Sequence, residues 1–296
     1  MKTQRGEVRA LLLMFVASVL WPMLEHSGAL LMRHHAFQIV FLRYAAHLVL
    51  LLAIVLPVAG PSKLRTKRAG LQLLRGLCMF CMPLWFVLGR DAGDVRWVWS
   101  IFWTMPLLSV IAASLLLRER LYRGAAIAAL AGAAGAIAII GGEAGSRATV
   151  FGIAMGGSAA GYMVLSRLLR DESLPASLFY TAIGAGVPTG LIVWRVWTPV
   201  IASEVLAILM IGALSLLILG AIDLSLESGP VSLTVPILAL IPAWELAITF
   251  SANHTQPGLR QLVGTVAIAV GSACCCLAAW PERAQRNFFE FGGQVS

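Results

Sequence analysis

Residues 99–135 read WSIFWTMPLLSVIAASLLLRERLYRGAAIAALAGAAG and hold two apolar runs, separated by Arg118, Glu119 and Arg120. The first run is about as long as the roughly 20 residues that a helix needs to cross the hydrocarbon core of a membrane. It carries Pro106 near its middle, and the second run consists almost entirely of Ala, Gly, Ile and Leu. The stretch therefore predicts a proline-containing membrane helix followed by a small-residue helix.

Part of this plan recurs 130 residues later, where residues 234–236 (TVP) parallel residues 104–106 (TMP). An apolar run follows there too, and Gly264 and Gly271 lie in a second small-residue run. Two halves that each end in a proline-containing helix and a glycine-rich helix are typical of proteins built from internal repeats.

The composition indicates that the chain lies in a membrane. Hydrophobic residues make up 59% of the chain, charged residues only 12%, and the mean hydropathy is +0.86. A soluble protein carries about twice that charged fraction. The apolar runs are continuous, which excludes a transmembrane β-barrel because its strands alternate apolar and polar residues. We therefore expect an all-α integral membrane protein.

The apolar runs predict ten transmembrane helices joined by short connections. Runs of this length match the span of a bilayer. No inserted soluble domain is expected between them. The predicted spans are 8–30, 36–58, 71–90, 95–117, 122–142, 150–169, 176–197, 203–226, 231–250 and 261–280.

The basic residues predict the orientation. Of the 22 Lys and Arg residues, fifteen fall at one end of the predicted spans, six fall at the other, and Arg43 is interpreted as the one within a span. Cytoplasmic loops are rich in Lys and Arg, so the crowded end is expected in the cytoplasm, together with both termini. The same rule explains the net charge of +8 without a nucleic-acid partner. We expect a multi-pass protein of the cell membrane, in bacteria the inner membrane.

An odd number of helices per half predicts inverted repeats. Five spans fall in residues 1–146 and five in residues 147–296, so the second half must enter the membrane from the opposite side. Repeats of this kind bind a substrate near the middle of the membrane and expose it to each side in turn.

Several motifs together resemble a known family, the EamA-type ten-helix branch of the drug/metabolite transporter superfamily. Residues 37–46 (FQIVFLRYAA) are similar to its second helix with the embedded Arg43. The fourth span carries Pro106, Glu119 follows it by thirteen residues at the helix end, and Gly135 follows Glu119 by sixteen, as in the family. The resemblance covers essentially the whole chain and implies a secondary transporter of a small organic solute, such as an amino acid, another metabolite or a drug-like amine.

The second half departs from this pattern. Thirteen residues after Pro236 stands Thr249 instead of a Glu, and the nearest acid is Glu245, one helical turn earlier. Glu119 is therefore interpreted as a structural residue at a helix end. Asp223 and Glu227, near the end of the eighth span, are interpreted as solvated acids.

Ionisable side chains within the spans are the first candidates for the transport site, because each costs roughly 2.5–3.5 kcal/mol at the centre of a membrane helix. Four stand out: Glu25, Arg43, His47 and Glu245. We expect the two Glu residues to bind substrate or to couple transport to protons. For Arg43 and His47 a purely structural role within the bundle is the alternative.

Aromatic side chains are the second group of candidates. Trp99 and Trp103 are four residues apart and hence on one helix face, close to Pro106. Tryptophans near two carboxylates could form a cage for an organic cation or an aromatic metabolite, and ordinary packing is the alternative. The other aromatic candidates are Trp21, Trp85, Tyr162 and Trp244.

The sequence also bears on energy source and partners. It contains no ATP-binding motif, so we expect transport to use proton coupling or exchange, without a cofactor or a bound metal. The alternatives of another class are a membrane-embedded enzyme and a channel. The expected partners are the solute and membrane lipid. GxxxG pairs, including Gly152 with Gly156, serve either packing within the bundle or a homodimer.

Overall fold

The computed structural model describes residues 2–253 and 257–278. Within these ranges the chain is helical and contains no strand. Short 3₁₀ turns lie at Pro61–Leu64, Ala202–Glu204 and Val235–Leu240. The helices are α1 (Lys2–Ala29), α2 (Ala36–Ala59), α3 (Ala69–Arg90), α4 (Val95–Phe102), α5 (Met105–Leu116), α6 (Arg123–Ile140), α7 (Ser146–Leu168), α8 (Leu174–Val193), α9 (Val205–Ser228), α10 (Val231–Thr234), α11 (Ile241–Asn253) and α12 (Leu259–Ala278).

The helices form ten apolar segments. In the described part of the chain, nine helical stretches are long and apolar enough to cross a membrane, and Leu259–Cys274 adds a shorter apolar helix. This confirms the predicted fold class, an all-α membrane protein with ten helical segments. The helices α4 and α5 together make one stretch, as do α10, the following 3₁₀ turn and α11.

Two of the segments are broken at their prolines. The helix α4 ends at Phe102, and α5 begins at Met105 with Pro106 in its first turn. In the second half, α10 gives way to a 3₁₀ turn that contains Pro236. Proline lacks the N–H that a continuous helix requires, so the α-helix of each segment is interrupted there.

The loops gather at two ends of the bundle. We call the end that holds residues 60–68 and 117–122 the near end, and the end that holds residues 30–35 and 141–145 the far end. At the near end Ser173 donates a hydrogen bond to the carbonyl oxygen of Lys63, over 2.7 Å. At the far end Asp94 accepts one from the backbone N–H of Glu143, over 2.9 Å. Wherever the structure describes them, the members of the fifteen-residue basic group lie at the near end, apart from Arg75, which lies inside α3.

Glycines set the closest helix contacts. A Cβ atom on Gly135 of α6 would lie 2.6 Å from the carbonyl oxygen of Gly264 of α12, so neither position has room for a side chain. A Cβ on Gly76 of α3 would likewise lie 2.7 Å from the Cα of Gly184 of α8. Small residues let helix backbones approach in this way, and packing then holds the bundle together.

Candidate functional site

An inner cavity of about 170 Å³ lies in the far half of the bundle. Its wall is apolar except for two charged side chains, Glu25 of α1 and Arg43 of α2. The apolar residues come from α1, α2, α3, α4, α7 and α9, so the cavity lies where both halves of the chain meet. They include Trp21, Leu24, Ile39, Val40, Met79, Met82, Phe86, Trp99, Phe102, Met155 and Ile211.

An outer cavity of about 340 Å³ adjoins the inner one and shares Glu25 and Trp99 with it. Several of its wall residues are exposed at the far end, so the outer cavity opens there. Glu25 and Trp99 therefore stand between the opening and the inner cavity. The wall of the outer cavity consists of Glu25, His26, Ala29, Arg96, Trp99, Trp103, Ile140, Glu245 and Thr249.

Glu25 is held by its own helix. Trp21 lies one turn earlier on α1, and its Nε1–H donates a hydrogen bond to Oε1 of Glu25 over 3.2 Å. Trp21 in turn packs edge-on against Trp103, with ring centroids 6.3 Å apart. This chain of contacts fixes one oxygen of Glu25 and leaves the carboxylate at the boundary between the two cavities.

Arg43 is held by its neighbour in the sequence. Its guanidinium lies over the ring of Tyr44, 4.7 Å from the centroid, and its Nη2 donates to the Tyr44 hydroxyl over 3.2 Å. Its Nε is buried and has no hydrogen-bond partner. Among the described residues no carboxylate lies within 4.0 Å of Arg43, so Arg43 and Glu25 share a cavity without forming an ion pair.

The aromatic wall comes from the break in the fourth segment. Trp99 lies on α4, while Trp103 follows the end of that helix and is 1% exposed. Both pack edge-on against Phe102, at 5.4 and 4.9 Å between ring centroids. Trp99 borders both cavities and Trp103 only the outer one. Glu245 also lines the outer cavity, so the two candidate carboxylates face the same space.

The other four predicted site residues lie outside both cavities. His47 is fully buried and lies 3.4 Å from the Ser215 hydroxyl. Trp85 and Trp244 contact serine hydroxyls through their indole N–H groups: Trp85 donates to Ser158 over 3.1 Å, and Trp244 approaches Ser18 at 3.4 Å. The hydroxyl of Tyr162 donates to Asp223 over 3.2 Å.

Tyr162 belongs to a buried polar cluster in the near half, which we call the near cluster: Arg75, Tyr162, Ser166, Ser177, Thr181 and Asp223. It joins α3, α7, α8 and α9. Nη1 of Arg75 lies 3.1 Å from Asp223, and the two side chains are 1% and 7% exposed. Arg75 also donates to the Ser177 carbonyl and, over 2.8 Å, to Thr181.

The near cluster corrects two sequence interpretations. Asp223 is not a solvated acid, because it points into the bundle and pairs with Arg75. Arg43 is not the one Arg within a span, since Arg75 lies inside α3 as well. The available signal was the position of Arg75 four residues into the predicted third span, where the same cost argument applies.

Glu119 joins three segments at the near end. It forms an ion pair with Nε of Arg167, over 3.3 Å, and accepts a hydrogen bond from the backbone N–H of Ser232, over 3.0 Å. Arg167 also donates to the carbonyl of Leu226, over 2.7 Å. These contacts tie the chain after α5 to the end of α7 and to the start of α10, which agrees with a structural role for Glu119.

Comparisons with known proteins agree with this architecture. A solved crystal structure of another protein shares 19% sequence identity; the match covers 90% of this chain and 96% of that one, with a TM-score of 0.81. At this identity the likeness shows the fold alone. No curated protein matches the chain.

The first half of the chain matches a sequence family. The model of the EamA-like transporter family matches residues 4–141, which contain α1–α6 and with them Glu25, Arg43 and Trp99. Members of this family are membrane transporters. Residues 4–141 are therefore similar to the EamA-like transporter family, in agreement with the resemblance that the sequence predicted.

Proposed function

We propose that this chain is a secondary active transporter that carries a small organic solute across the cell membrane by alternating access. One observation carries the proposal: two adjoining cavities open at the far end, while the near half beneath them is closed by buried polar contacts. A binding space that is open on one side and closed on the other is what alternating access requires.

The closure supports this proposal in detail. Met79 lines the inner cavity, and Arg75 lies one turn further toward the near end of the same helix. The near cluster thus lies below the cavity and joins four helices. The space beside it measures about 10 Å³, no more than a single water needs. Opening toward the near end would have to separate Arg75 from Asp223.

The helix contacts support two inverted repeats, residues 1–146 and 147–296. If α1 corresponds to α7, α2 to α8, α3 to α9 and α6 to α12, the packing of α1 on α9 is equivalent to that of α7 on α3. The packing of α2 on α9 is likewise equivalent to that of α8 on α3, and α6 packs on its own counterpart, α12. A two-fold axis in the membrane plane would relate such halves.

The two proline breaks and the close helix contacts follow the same correspondence. Pro106 and Pro236 both lie where the fourth segment of a half is broken. The tight contact of Gly76 with Gly184 has its counterpart in Gly212 of α9, where a Cβ would lie 2.5 Å from the Cβ of Ala46 of α2.

We place the near end and both termini in the cytoplasm, because Lys and Arg accumulate there. The outer cavity then faces the outside of the cell. Coupling to protons or exchange is assigned to Glu25 and Glu245, the two carboxylates that line the outer cavity. A proton or a cationic group of the solute would compete for them. Gly152 and Gly156 contact α4 within the chain, which favours bundle packing over a homodimer at that pair.

Transport is tested with purified protein in two steps. A thermal-shift screen against a metabolite panel identifies ligands, since a ligand that binds the folded state raises its stability. Each hit is then offered to proteoliposomes, with and without a pH gradient and with the unlabelled solute inside. We expect saturable uptake driven by the gradient or by exchange. If no stabilising ligand is taken up under either condition, the transporter proposal is wrong.

A further inference from the structure

The inner cavity contains a cation that is poorly satisfied within the protein. A guanidinium has five N–H donors and remains charged under all physiological conditions. In the described part of the chain, Arg43 uses one of them, toward the Tyr44 hydroxyl, and its buried Nε has no partner. Arg43 is half-buried, so the donors that a partner in the cavity can reach are on Nη1 and Nη2 rather than on the buried Nε. A charge that is largely removed from water is stabilised by such a partner.

The position of Arg43 is fixed rather than adaptable. Tyr44 beneath the guanidinium is 1% exposed, and its neighbour His47 is fully buried. The contact with Tyr44 holds one side of the guanidinium, and Arg43 lines the inner cavity. A planar fork held in this way is suited to an oxyanion with two oxygens, which accepts two parallel hydrogen bonds.

The other charges nearby do not neutralise Arg43 by contact. Glu25 faces it across the inner cavity but forms no ion pair with it. Glu25 is also bordered by His26, Arg96 and Glu245 in the outer cavity. A simple organic cation in the inner cavity would add a second positive charge beside Arg43 and leave its donors unused. A carboxylate there would accept hydrogen bonds from Nη1 and Nη2 of Arg43.

We propose that the inner cavity binds a small solute with a carboxylate group, which pairs with Arg43, and with an apolar body that packs against Met79, Phe86 and Trp99. This rests on the proposed transport function and narrows it, since it excludes simple amines as substrates. An amino group on the solute is compatible with the proposal, because Glu25 lies across the same cavity. The carboxylate is the part that binding requires.

The test uses purified full-length protein and two matched sets of compounds, each with one apolar body and four charge states. The aromatic set is hydrocinnamate, phenethylamine, hydrocinnamamide and phenylalanine. The aliphatic set is isocaproate, isoamylamine, isocaproamide and leucine. We expect the members with a carboxylate to raise the melting temperature of the wild type, and the amine and the amide to leave it unchanged.

Three variants locate the effect. Arg43→Gln should weaken carboxylate binding about tenfold or more, as loss of a charge-assisted bond does. Arg43→Lys keeps the charge but not the planar guanidinium, so its affinity for carboxylates should lie between those of the wild type and Arg43→Gln. Arg147→Gln, an exposed arginine at the far end, is the matched control and should bind like the wild type. Circular dichroism and size-exclusion chromatography check that each variant is folded.

Two results would overturn the proposal. One is stabilisation by the amines with no effect of the carboxylates; that result would leave a transporter of organic cations, so the proposed function would survive. The other is carboxylate binding that Arg43→Gln leaves unchanged. If carboxylates bind through Arg43 but proteoliposomes take none of them up, the binding site stands and the transport function fails.

Discussion

Nη1 of Arg75 and Oδ2 of Asp223 lie 3.1 Å apart, and together the two side chains join α3 to α9 in the near half of the bundle. Both are almost wholly removed from solvent. Separating two buried charges is costly, whereas replacing both by apolar residues often is not. This asymmetry gives the pair a distinct mutational signature.

We expect Asp223→Asn to reduce the free energy of unfolding by about 3–5 kcal/mol, because it leaves a buried guanidinium uncompensated. The double variant Arg75→Met with Asp223→Leu should regain most of that loss. Thermal unfolding in detergent measures both. Glu227→Gln, an exposed acid one turn later on α9, is the control and should match the wild type. A single variant as stable as the wild type would contradict the pairing.

The same pair should control access from the near end. In a cysteine-free background, Ser166→Cys should react slowly with a membrane-impermeant thiol reagent applied from that side, because Ser166 is 4% exposed. Asp223→Asn should raise its labelling rate several-fold by weakening the closure. Ala29→Cys, in the wall of the outer cavity, should label readily from the far side in both backgrounds. Equal labelling of Ser166→Cys in both backgrounds would mean that the ion pair does not close this side.

Proton coupling should depend on Glu25. Glu25→Gln retains an oxygen that accepts the Trp21 indole N–H but can no longer bind a proton or carry a charge. Uptake of the solute into proteoliposomes should therefore lose its dependence on pH, while the protein remains folded. Glu143→Gln, an exposed carboxylate at the far end, is the control. An unchanged pH profile in Glu25→Gln would reduce Glu25 to a structural partner of Trp21.

The close contact between α6 and α12 should not tolerate a methyl group. Gly135→Ala would place a Cβ 2.5 Å from the Ile268 side chain and 2.6 Å from the Gly264 carbonyl, so the helices must separate. We expect a loss of about 1–3 kcal/mol, the usual cost of overpacking. Gly157→Ala is a matched control, because no heavy atom of another described helix lies within 4 Å of its Cβ position. Melting temperatures that rank the two variants in the opposite order would contradict this packing.

Asp94 should contribute a pH-dependent part of the stability. The backbone N–H groups of Glu143 and Arg96 hold the pKa of this carboxyl below its ordinary value of 3.8. The folded state therefore favours the ionised form. The contribution is complete above pH 3.8 and is lost as the pH falls through the lower pKa of the folded protein. The melting temperature of Asp94→Asn should depend less on pH than that of the wild type in that acidic range, which thermal scans at several pH values would measure.

Much of the fold could be predicted from the sequence because apolar length and loop charge report directly on membrane helices. The depth of a charged side chain in the membrane was predictable for the same reason. Glu25, Glu245 and Arg43 stand out because a charge within a span costs free energy, and all three line a cavity. The direction in which a side chain points around its helix was not predictable from the sequence. Trp244 was expected in the cage but lines a groove outside it, beside Met23.

The near cluster was missed for a related reason. By its position in the sequence Arg75 groups with the loop arginines, and Asp223 stands near a helix end, where a charge ordinarily reaches water. Their burial depends on how α3, α8 and α9 pack against one another. The periodicity of a single helix does not predict this packing. Pairing between distant segments is a tertiary property, and only the structure supplies it.

The boundary between the two cavities has a consequence for the order of events. Since Glu25 and Trp99 belong to both walls, a solute arriving from the far end meets this carboxylate before it reaches Arg43. In the proposed transporter, the coupling proton and the solute then pass the same boundary, formed by Glu25 and Trp99, one after the other. A proton bound to Glu25 neutralises its charge and so changes the free energy with which the next solute passes. Because proton and solute share this route, uncoupled passage of either one is reduced.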